Sequence, residues 1–263
     1  EPTFLPSDSR RKVGKAVTRK ELGLPEDKFI FASFNNTYKL NPAMFSCWME
    51  VLKSVDNSVL WTIDDNPWAT ENLKREAAAR GVDPARLIFS ARVPPEDYLA
   101  RIPLADLFLD NHPYNAGSTA NDVLWMGLPM LTLAGQSFVS RMAGSLIRSA
   151  GCDELIVDNH EAYVQRAIAL AEASSLDFQM RLRPLLRDVA AARLAARGIA
   201  SNDIAARLFL SPRTVSNHLQ SAYTKLGVRR RTEAGVDDDG HAGLFDDDAE
   251  EIARQQPAVR ADR

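Results

Sequence analysis

A regular alternation of short apolar runs and amphipathic segments over the first 173 residues constrains the fold more than any other feature of the sequence. The apolar runs are rich in aromatic and β-branched residues, and they have the length of buried strands: Phe29–Phe34, Val59–Ile63, Leu87–Ser90, Leu107–Asp110, Met130–Leu133 and Leu155–Val157. A helical pattern follows each run, and these patterns begin at Pro42 and then cover Trp68–Arg80, Pro95–Arg101, Ser118–Met126, Phe138–Ala150 and His160–Ala173. Six strand–helix units in succession predict an α/β fold in which helices cover both faces of a parallel sheet.

Composition narrows the class of protein further. Of the 263 residues, 45% are hydrophobic and 25% are charged, which is ordinary for a soluble globular chain. The longest apolar runs, such as Leu128–Ala134, are far shorter than the roughly 20 residues of a membrane helix, and no secretory signal is visible. The two cysteines have no metal-ligand spacing and exclude a disulfide framework, so we expect a cytoplasmic protein. A first residue of Glu1 is consistent with a fragment or a processed chain.

Polar residues concentrate in the loops that follow the first and fourth strands. Parallel sheets bind ligands beyond the carboxyl ends of their strands. The loop after the fourth strand ends in Gly117, Ser118 and Thr119 at the start of a helix, which is a natural site for a phosphate group. Lys39, in the loop after the first strand, could supply a cation to the same phosphate. A simpler interpretation, in which Ser118 only caps the helix and Lys39 is solvated, is favoured by these residues alone.

Spaced motifs along this part of the chain match a known family. The motifs are Phe34–Lys39 with Pro42, Ser58–Trp61, Arg86–Phe89, Leu104–Asp110, Pro113–Asn115, the run T-A-N-D-V-L-W-M-G-L-P over Thr119–Pro129, Ser140–Ala143 and Gly151–Leu155. Their order and content resemble the family 41 glycosyltransferases, the O-GlcNAc transferases. The resemblance covers roughly residues 5–186 and favours the phosphate-site interpretation over the simpler one.

The resemblance implies a GT-B architecture, in which two Rossmann-like halves hold a nucleotide sugar between them. This chain resembles the C-terminal half, which grips the UDP part of the donor UDP-GlcNAc or a related UDP-sugar. The implied reaction is inverting transfer of the sugar to a Ser or Thr hydroxyl of a protein acceptor, and no metal and no cofactor are expected. The N-terminal half with its catalytic histidine, and the tetratricopeptide repeats before it, have no counterpart here, so we expect the chain to be incomplete as an enzyme on its own.

The resemblance also implies roles for particular residues. Lys39 is the catalytic candidate, because it would neutralise the leaving diphosphate, and the expected substrate-binding residues are Asn36, Val93, Tyr98, Arg101, Gly117, Ser118, Thr119 and Asp122. Among these, the three residues at the helix start would bind the phosphates, Asp122 the ribose hydroxyls, and the loop with Val93 the uracil. Three positions depart from the animal enzymes, which have a histidine in place of Gly117, a lysine in place of Pro95 and a histidine in place of Tyr98.

The last third of the chain has a different charge pattern. Residues 181–231 contain eleven Arg and Lys residues and two acidic residues, whereas residues 232–263 contain ten acidic residues and three Arg. Helical patterns at Leu185–Arg197, Ile204–Leu208 and from Pro212 to Leu226 are separated by short turns, which is typical of a helix-turn-helix. A basic segment followed by an acidic tail is compatible both with contact with nucleic acid and with a solvated, Arg-rich pair of helices, and charge alone does not decide between them.

The motifs Arg207–Leu219 and Lys225–Val228 resemble the LuxR-type DNA-binding domain over about residues 187–234. The expected DNA-binding residues are Arg213, Thr214, Val215, Asn217, His218 and Lys225. The usual opening of the first helix and the fourth helix, which commonly mediates dimerisation, are missing.

The predicted organisation is a nucleotide-sugar-binding domain over residues 1–180, a helix-turn-helix over 185–233 and a disordered acidic tail over 234–263. Two functions remain open. The first is a UDP-GlcNAc-dependent glycosyltransferase, with a UDP-sugar and a protein acceptor as partners and no membrane. The alternative is a LuxR-type transcription regulator that binds DNA and carries a nucleotide-sugar-binding domain.

Overall fold

The computed structural model describes residues 12–150 and 152–172, together with 202, 203, 213, 215–217, 219 and 220 of the later part. The chain divides into two compact units, Glu1–Arg187 and Asp188–Arg263. Among the described residues, no helix is long and apolar enough to cross a membrane.

The first unit is an α/β domain built on one parallel sheet. Its strands are β1 (Phe29–Ser33), β2 (Ser58–Asp64), β3 (Leu87–Ala91), β4 (Leu107–Leu109), β5 (Met130–Leu133) and β6 (Ile156–Val157). Its helices are α1 (Pro42–Ser54), α2 (Pro67–Ala79), α3 (Pro95–Arg101), α4 (Ser118–Trp125), α5 (Met142–Ser149) and α6 (His160–Glu172). The strands lie in the order β3-β2-β1-β4-β5-β6, and every pair is parallel. The predicted α/β fold with a parallel sheet is confirmed.

The strand order creates a switch point between β1 and β4. From β1 the chain adds strands towards one edge of the sheet, and from β4 it adds them towards the other edge. Loops that leave two such neighbouring strands diverge, and the crevice between them is where sheets of this type bind ligands. The loops after β1 and β4 are the two that the sequence singles out.

Local capping explains where the helices start. Asn41 accepts a hydrogen bond from the Met44 backbone N–H at 2.9 Å and precedes a proline at the first position of α1. Asn66 does the same for the Ala69 N–H at 2.8 Å at the start of α2. An asparagine cap followed by proline satisfies the exposed N–H groups of the first turn and sets its backbone angle. These two helix starts are therefore fixed by the sequence itself.

The predicted helix Phe138–Ala150 is wrong at its start, because α5 begins at Met142. Ser137 and Ser140 close a turn instead, with a 2.9 Å bond between their hydroxyls and a 3.2 Å bond from the Ser140 N–H to the Ser137 carbonyl. Phe138 is left 53% exposed on this turn. Serine side chains that bond to nearby backbone compete with helix formation, which accounts for the late start.

The second unit is described at isolated positions. Asn202 and Asp203 are helical, so that helix starts before the predicted Ile204. The described residues from Arg213 to Gln220 are helical, as the helix-turn-helix pattern predicts. Thr214, His218 and Lys225, the helix Leu185–Arg197 and the acidic tail lie outside the described residues.

The side chain of Val215, one of the predicted DNA-binding residues, is completely buried, whereas those of Arg213 and Asn217 are exposed. This burial does not support a contact between Val215 and DNA, which stays a prediction.

Candidate functional site

A crevice of about 510 Å³ opens at the switch point, beyond the carboxyl ends of β1, β2 and β3 and beside the start of α4. Eight of the nine residues predicted for the UDP-sugar site line it: Asn36, Lys39, Val93, Tyr98, Arg101, Ser118, Thr119 and Asp122. Gly117 is not part of the lining, since it is buried at the position that precedes α4. Residues far apart in the chain thus meet in one crevice large enough for a nucleotide-sized ligand.

Lys39 ends a short 3-10 turn, Thr37–Lys39, that follows β1. Its ammonium lies 4.2 Å from the centroid of the Tyr114 ring. Tyr38 packs edge-to-face on the same ring, with the centroids 6.4 Å apart, and both tyrosines are exposed. A cation above an aromatic face is attracted by the ring, so the lysine is held at the crevice rather than free in solvent.

The start of α4 presents its N–H groups to the crevice. Gly117 is the residue before the helix, and Ser118 is the first helical residue, so Ser118 does not cap it. This finding contradicts the simpler interpretation for Ser118. The first N–H groups of a helix have no partner inside the helix and carry a partial positive charge, which favours an anion at this point. Asp122 lies one turn further along the same helix and also lines the crevice.

The opposite wall comes from the segment after β3 and from α3. The Tyr98 ring packs edge-to-face on Phe34, with a centroid separation of 5.8 Å. The Arg101 guanidinium donates to the Ala91 carbonyl oxygen at 3.3 Å, which ties α3 to the end of β3. Val93, between these contacts, is half-buried. This wall combines flat apolar surface with a few polar groups, a mixture typical of pockets that bind an aromatic base.

An ion-pair network connects three of the loops around the crevice, and sequence reasoning missed its acidic member. Arg92, after β3, donates to Asp65 at 2.6 Å and also to the Asn36 side-chain carbonyl. Asp65, after β2, accepts a further hydrogen bond from the Thr37 hydroxyl at 2.7 Å. The pKa of Asp65 is held below its usual value. The hydrogen bonds from Arg92 have the largest effect, and the bond from Thr37 has the next largest. The network fixes Asn36 and its loop. The one feature of the sequence that could have pointed to Asp65 is its position shortly after a predicted strand.

A buried carboxylate under the loop between β4 and α4 was also missed. Asp110, directly after β4, accepts hydrogen bonds from the Ala116 backbone N–H at 2.8 Å, the Thr132 hydroxyl at 2.7 Å and the Asn35 side-chain amide at 3.3 Å. Its side chain is fully buried. Burial raises the pKa of this carboxyl group to about 6, because the cost of desolvation exceeds the effect of the hydrogen bonds.

The charges around the crevice favour an anionic ligand. Lys39, Arg92 and Arg101 are cationic lining residues, and Asp122 is the acidic one. Among the described residues, no group of three or more His, Cys, Asp or Glu side chains could hold a metal ion. The side-chain cations of Lys39, Arg92 and Arg101 and the start of α4 are available to neutralise an anion in this crevice.

A parallel sheet with a switch point between β1 and β4 and a crevice beside it has the architecture of a Rossmann-like domain. Two family models match the chain: glycosyl transferase family 41 over residues 9–197 and the LuxR family of bacterial regulatory proteins over residues 187–236. The first match covers well over half of the chain. The chain belongs to glycosyltransferase family 41, as its motifs predict.

Individual relatives agree with this assignment. The probable UDP-N-acetylglucosamine–peptide N-acetylglucosaminyltransferase SEC of Arabidopsis thaliana is 38% identical over 177 residues, which is 67% of this chain and 18% of that protein. The UDP-N-acetylglucosamine–peptide N-acetylglucosaminyltransferase of Caenorhabditis elegans is 34% identical over 154 residues, 59% of this chain and 13% of that protein. A solved mutant O-GlcNAc transferase from Thermobaculum terrenum superposes with a TM-score of 0.62 at 26% identity, covering 85% of this chain and 39% of that chain. The chain thus spans less than a fifth of the two plant and animal relatives.

Proposed function

We propose that the first unit is the donor-binding half of a UDP-GlcNAc-dependent protein O-glycosyltransferase, and that the crevice between β1 and β4 binds the UDP part of the donor. The observation that carries the proposal is the convergence of Lys39 and the start of α4 on one crevice from opposite sides of the switch point. Family membership supports the choice of a nucleotide sugar over other anions.

Each wall of the crevice has a part in this proposal. The diphosphate lies between the Lys39 ammonium and the N–H groups and hydroxyls of Ser118 and Thr119. The uracil lies along the wall that contains Val93, Tyr98 and Arg101. Asp122, one turn into α4, accepts hydrogen bonds from the ribose hydroxyls.

The chemistry follows from charge. When the sugar leaves, negative charge develops on the β-phosphate, and donors already aimed at that position stabilise the transition state without reorganisation. Lys39 and the start of α4 supply such donors, and Tyr114 holds the lysine near them. The acceptor Ser or Thr hydroxyl, and the group that removes its proton, belong to parts of the enzyme outside this crevice.

The experiment is a calorimetric titration of the full 263-residue chain with UDP and with uridine. Lys39→Ala removes a charge-assisted contact worth about 1.5 kcal/mol or more, so UDP affinity falls by about tenfold. Uridine affinity stays the same, because uridine has no diphosphate. Lys74→Ala is the matched control, since Lys74 is also paired with an aromatic ring, Phe89, but does not line the crevice. An equal loss for UDP and uridine on Lys39→Ala contradicts the role of the lysine.

The chain alone is expected to transfer little or no sugar. Positioning of the acceptor lowers the barrier of such reactions, by roughly 7 kcal/mol or more in well-aligned systems. We expect this half of the enzyme not to position the acceptor. Incubation of the purified chain with radiolabelled UDP-GlcNAc and acceptor peptide tests this, and measurable transfer contradicts it.

We propose DNA binding as a second function, carried by the match of residues 187–236 to the LuxR family and by the exposed side chains of Arg213 and Asn217. The excess of positive charge over residues 181–231 supports attraction to phosphates that does not depend on sequence. Because the sequence predicts that the dimerisation helix of this domain type is missing, we expect binding to one half-site with a Kd of about 10⁻⁴ to 10⁻⁶ M. Selection of one palindrome at nanomolar affinity in a gel-shift assay contradicts binding to a single half-site, and the absence of any shifted DNA contradicts DNA binding itself.

A cytoplasmic location is part of the same proposal. Both cysteines of the chain, Cys47 and Cys152, are free and buried, which fits a reducing compartment.

A further inference from the structure

The strand β4 is three residues long and has a buried aspartate at each end. Asp106, before the strand, accepts hydrogen bonds from the Ile30 backbone N–H at 2.8 Å and from Arg19 at 2.7 Å. Asp110, after the strand, faces the loop that leads into α4. The two carboxylates are alike in type and burial, but only the second is next to the crevice.

The contacts of Asp110 link the loop to three neighbouring strands. One oxygen accepts from the Ala116 N–H and from the Asn35 amide after β1, and the other accepts from the Thr132 hydroxyl of β5. Ala116 is the second residue before Ser118, where α4 begins. The backbone just ahead of the helix is thus tied, through one side chain, to the carboxyl ends of β1, β4 and β5.

The hydrogen-bonding partners of this carboxylate are all donors. They include the backbone N–H of Asn111 in addition to the three already named. An apolar side chain of similar size would leave these donors buried without an acceptor, which is unfavourable for each of them. Burial opposes a charge at this position, since it raises the pKa of the group to about 6. The hydrogen bonds that the Asp110 carboxylate accepts explain why a charge is kept at this buried position. One of these bonds, from the Ala116 N–H, fixes the loop.

We propose that Asp110 is a positioning residue of the donor site, which fixes the start of α4 where it can bind the diphosphate. The inference rests on the proposed function, because it assigns the start of α4 to the diphosphate. Asp110 itself does not line the crevice and touches no ligand in this proposal. If the acceptor oxygen of Asp110 is removed, the loop must be ordered when the ligand binds, and the entropy lost in ordering it weakens binding.

The test compares three variants of the full chain by calorimetric titration with UDP and with uridine. Asp110→Ala removes the acceptor, so UDP affinity falls by about tenfold while uridine affinity changes by less than about twofold. Asp110→Asn keeps an oxygen for the Ala116 N–H, and the Thr132 hydroxyl can turn to accept from the new amide. This conservative variant therefore restores UDP affinity to within about threefold of the unchanged chain. A merely structural role does not produce this pattern of selective loss and rescue.

Asp106→Ala is the matched control. It removes the other buried carboxylate of β4 and two similar hydrogen bonds, so it lowers thermal stability but leaves the ratio of UDP to uridine affinity unchanged. If Asp110→Ala is too unstable to purify, Asp110→Ser replaces it, because the serine hydroxyl is one bond too short to hold the Ala116 N–H but remains a polar partner.

The outcomes separate this inference from the proposed function. If the unchanged chain binds UDP no more tightly than uridine, the proposed function fails and this inference fails with it. If the unchanged chain prefers UDP and Asp110→Ala keeps that preference, only the positioning role is wrong. An equal loss of UDP and uridine affinity in Asp110→Ala, without rescue by Asp110→Asn, also overturns it.

Discussion

Asp110 makes the stability of the first unit depend on pH in a direction opposite to that of most carboxylates. Its pKa is about 6 in the folded protein, against 3.8 for an ordinary aspartate. Between these values the folded state holds a proton that the unfolded state has lost, so this group's contribution to stability falls as the pH rises. The difference between the two pKa values corresponds to about 3 kcal/mol, most of which is lost between pH 4 and pH 7.

Asp110→Asn isolates this contribution, because the amide does not titrate. We expect the free energy of unfolding of the unchanged chain, minus that of the variant, to fall by about 2 kcal/mol from pH 4 to pH 7. The assay is urea unfolding followed by tryptophan fluorescence at several pH values. All four tryptophans lie in the first unit, so the signal reports that unit alone.

Two results would refute the reasoning. A difference that stays constant with pH means that the pKa of Asp110 is not raised by burial. A difference that grows as the pH rises means that the hydrogen bonds from Ala116, Thr132 and Asn35 lower the pKa by more than burial raises it.

Three further expectations concern the lysine, the core and the tail. Tyr114→Ala releases Lys39 from its ring and lowers UDP affinity by about twofold to fivefold, whereas Tyr114→Phe keeps the ring and the affinity, as calorimetry can measure. Trp61→Ala empties a fully buried site and removes a 2.7 Å bond to Ser90, so the free energy of unfolding falls by about 3–5 kcal/mol in urea titrations; a loss under 1 kcal/mol contradicts this. Deletion of residues 235–263 removes acidic residues that compete with DNA, so binding tightens at low salt and the gain shrinks as salt rises; unchanged affinity at low salt contradicts the competition.

Much of the fold could be predicted because its signals are local. The alternation of apolar runs with helical patterns predicts the six strands and their parallel arrangement, and Asn41 and Asn66 mark helix starts with their own side chains. The start of α5 could not be predicted in this way, because the apolar pattern of the segment continues through Phe138. There the serine bonds of the 137–140 turn outweigh helix propensity.

The candidate site, like the fold, could be predicted only where its signals are local in the sequence. Lys39 and Ser118 could be predicted to line the crevice because each lies in a motif that resembles the family, in the loop after β1 and at the start of α4. Asp65 and Asp110 could not be identified in this way, because their hydrogen-bonding partners include residues that are 22 to 75 positions away in the chain. No spacing in the sequence encodes those contacts. For Val215, the motif predicts a contact with DNA, but the structure shows the side chain completely buried.

The central claim is that one crevice, built from the loops after β1 and β3 and the start of α4, binds the UDP part of a nucleotide sugar. Hydrogen exchange of the full chain, measured by mass spectrometry with and without UDP, tests it most directly. We predict slower exchange in peptides that cover residues 34–40, 91–101 and 115–122 together, and no change in peptides from α2 or α6. Protection confined to other segments, or no protection at UDP concentrations that saturate binding, would contradict the claim.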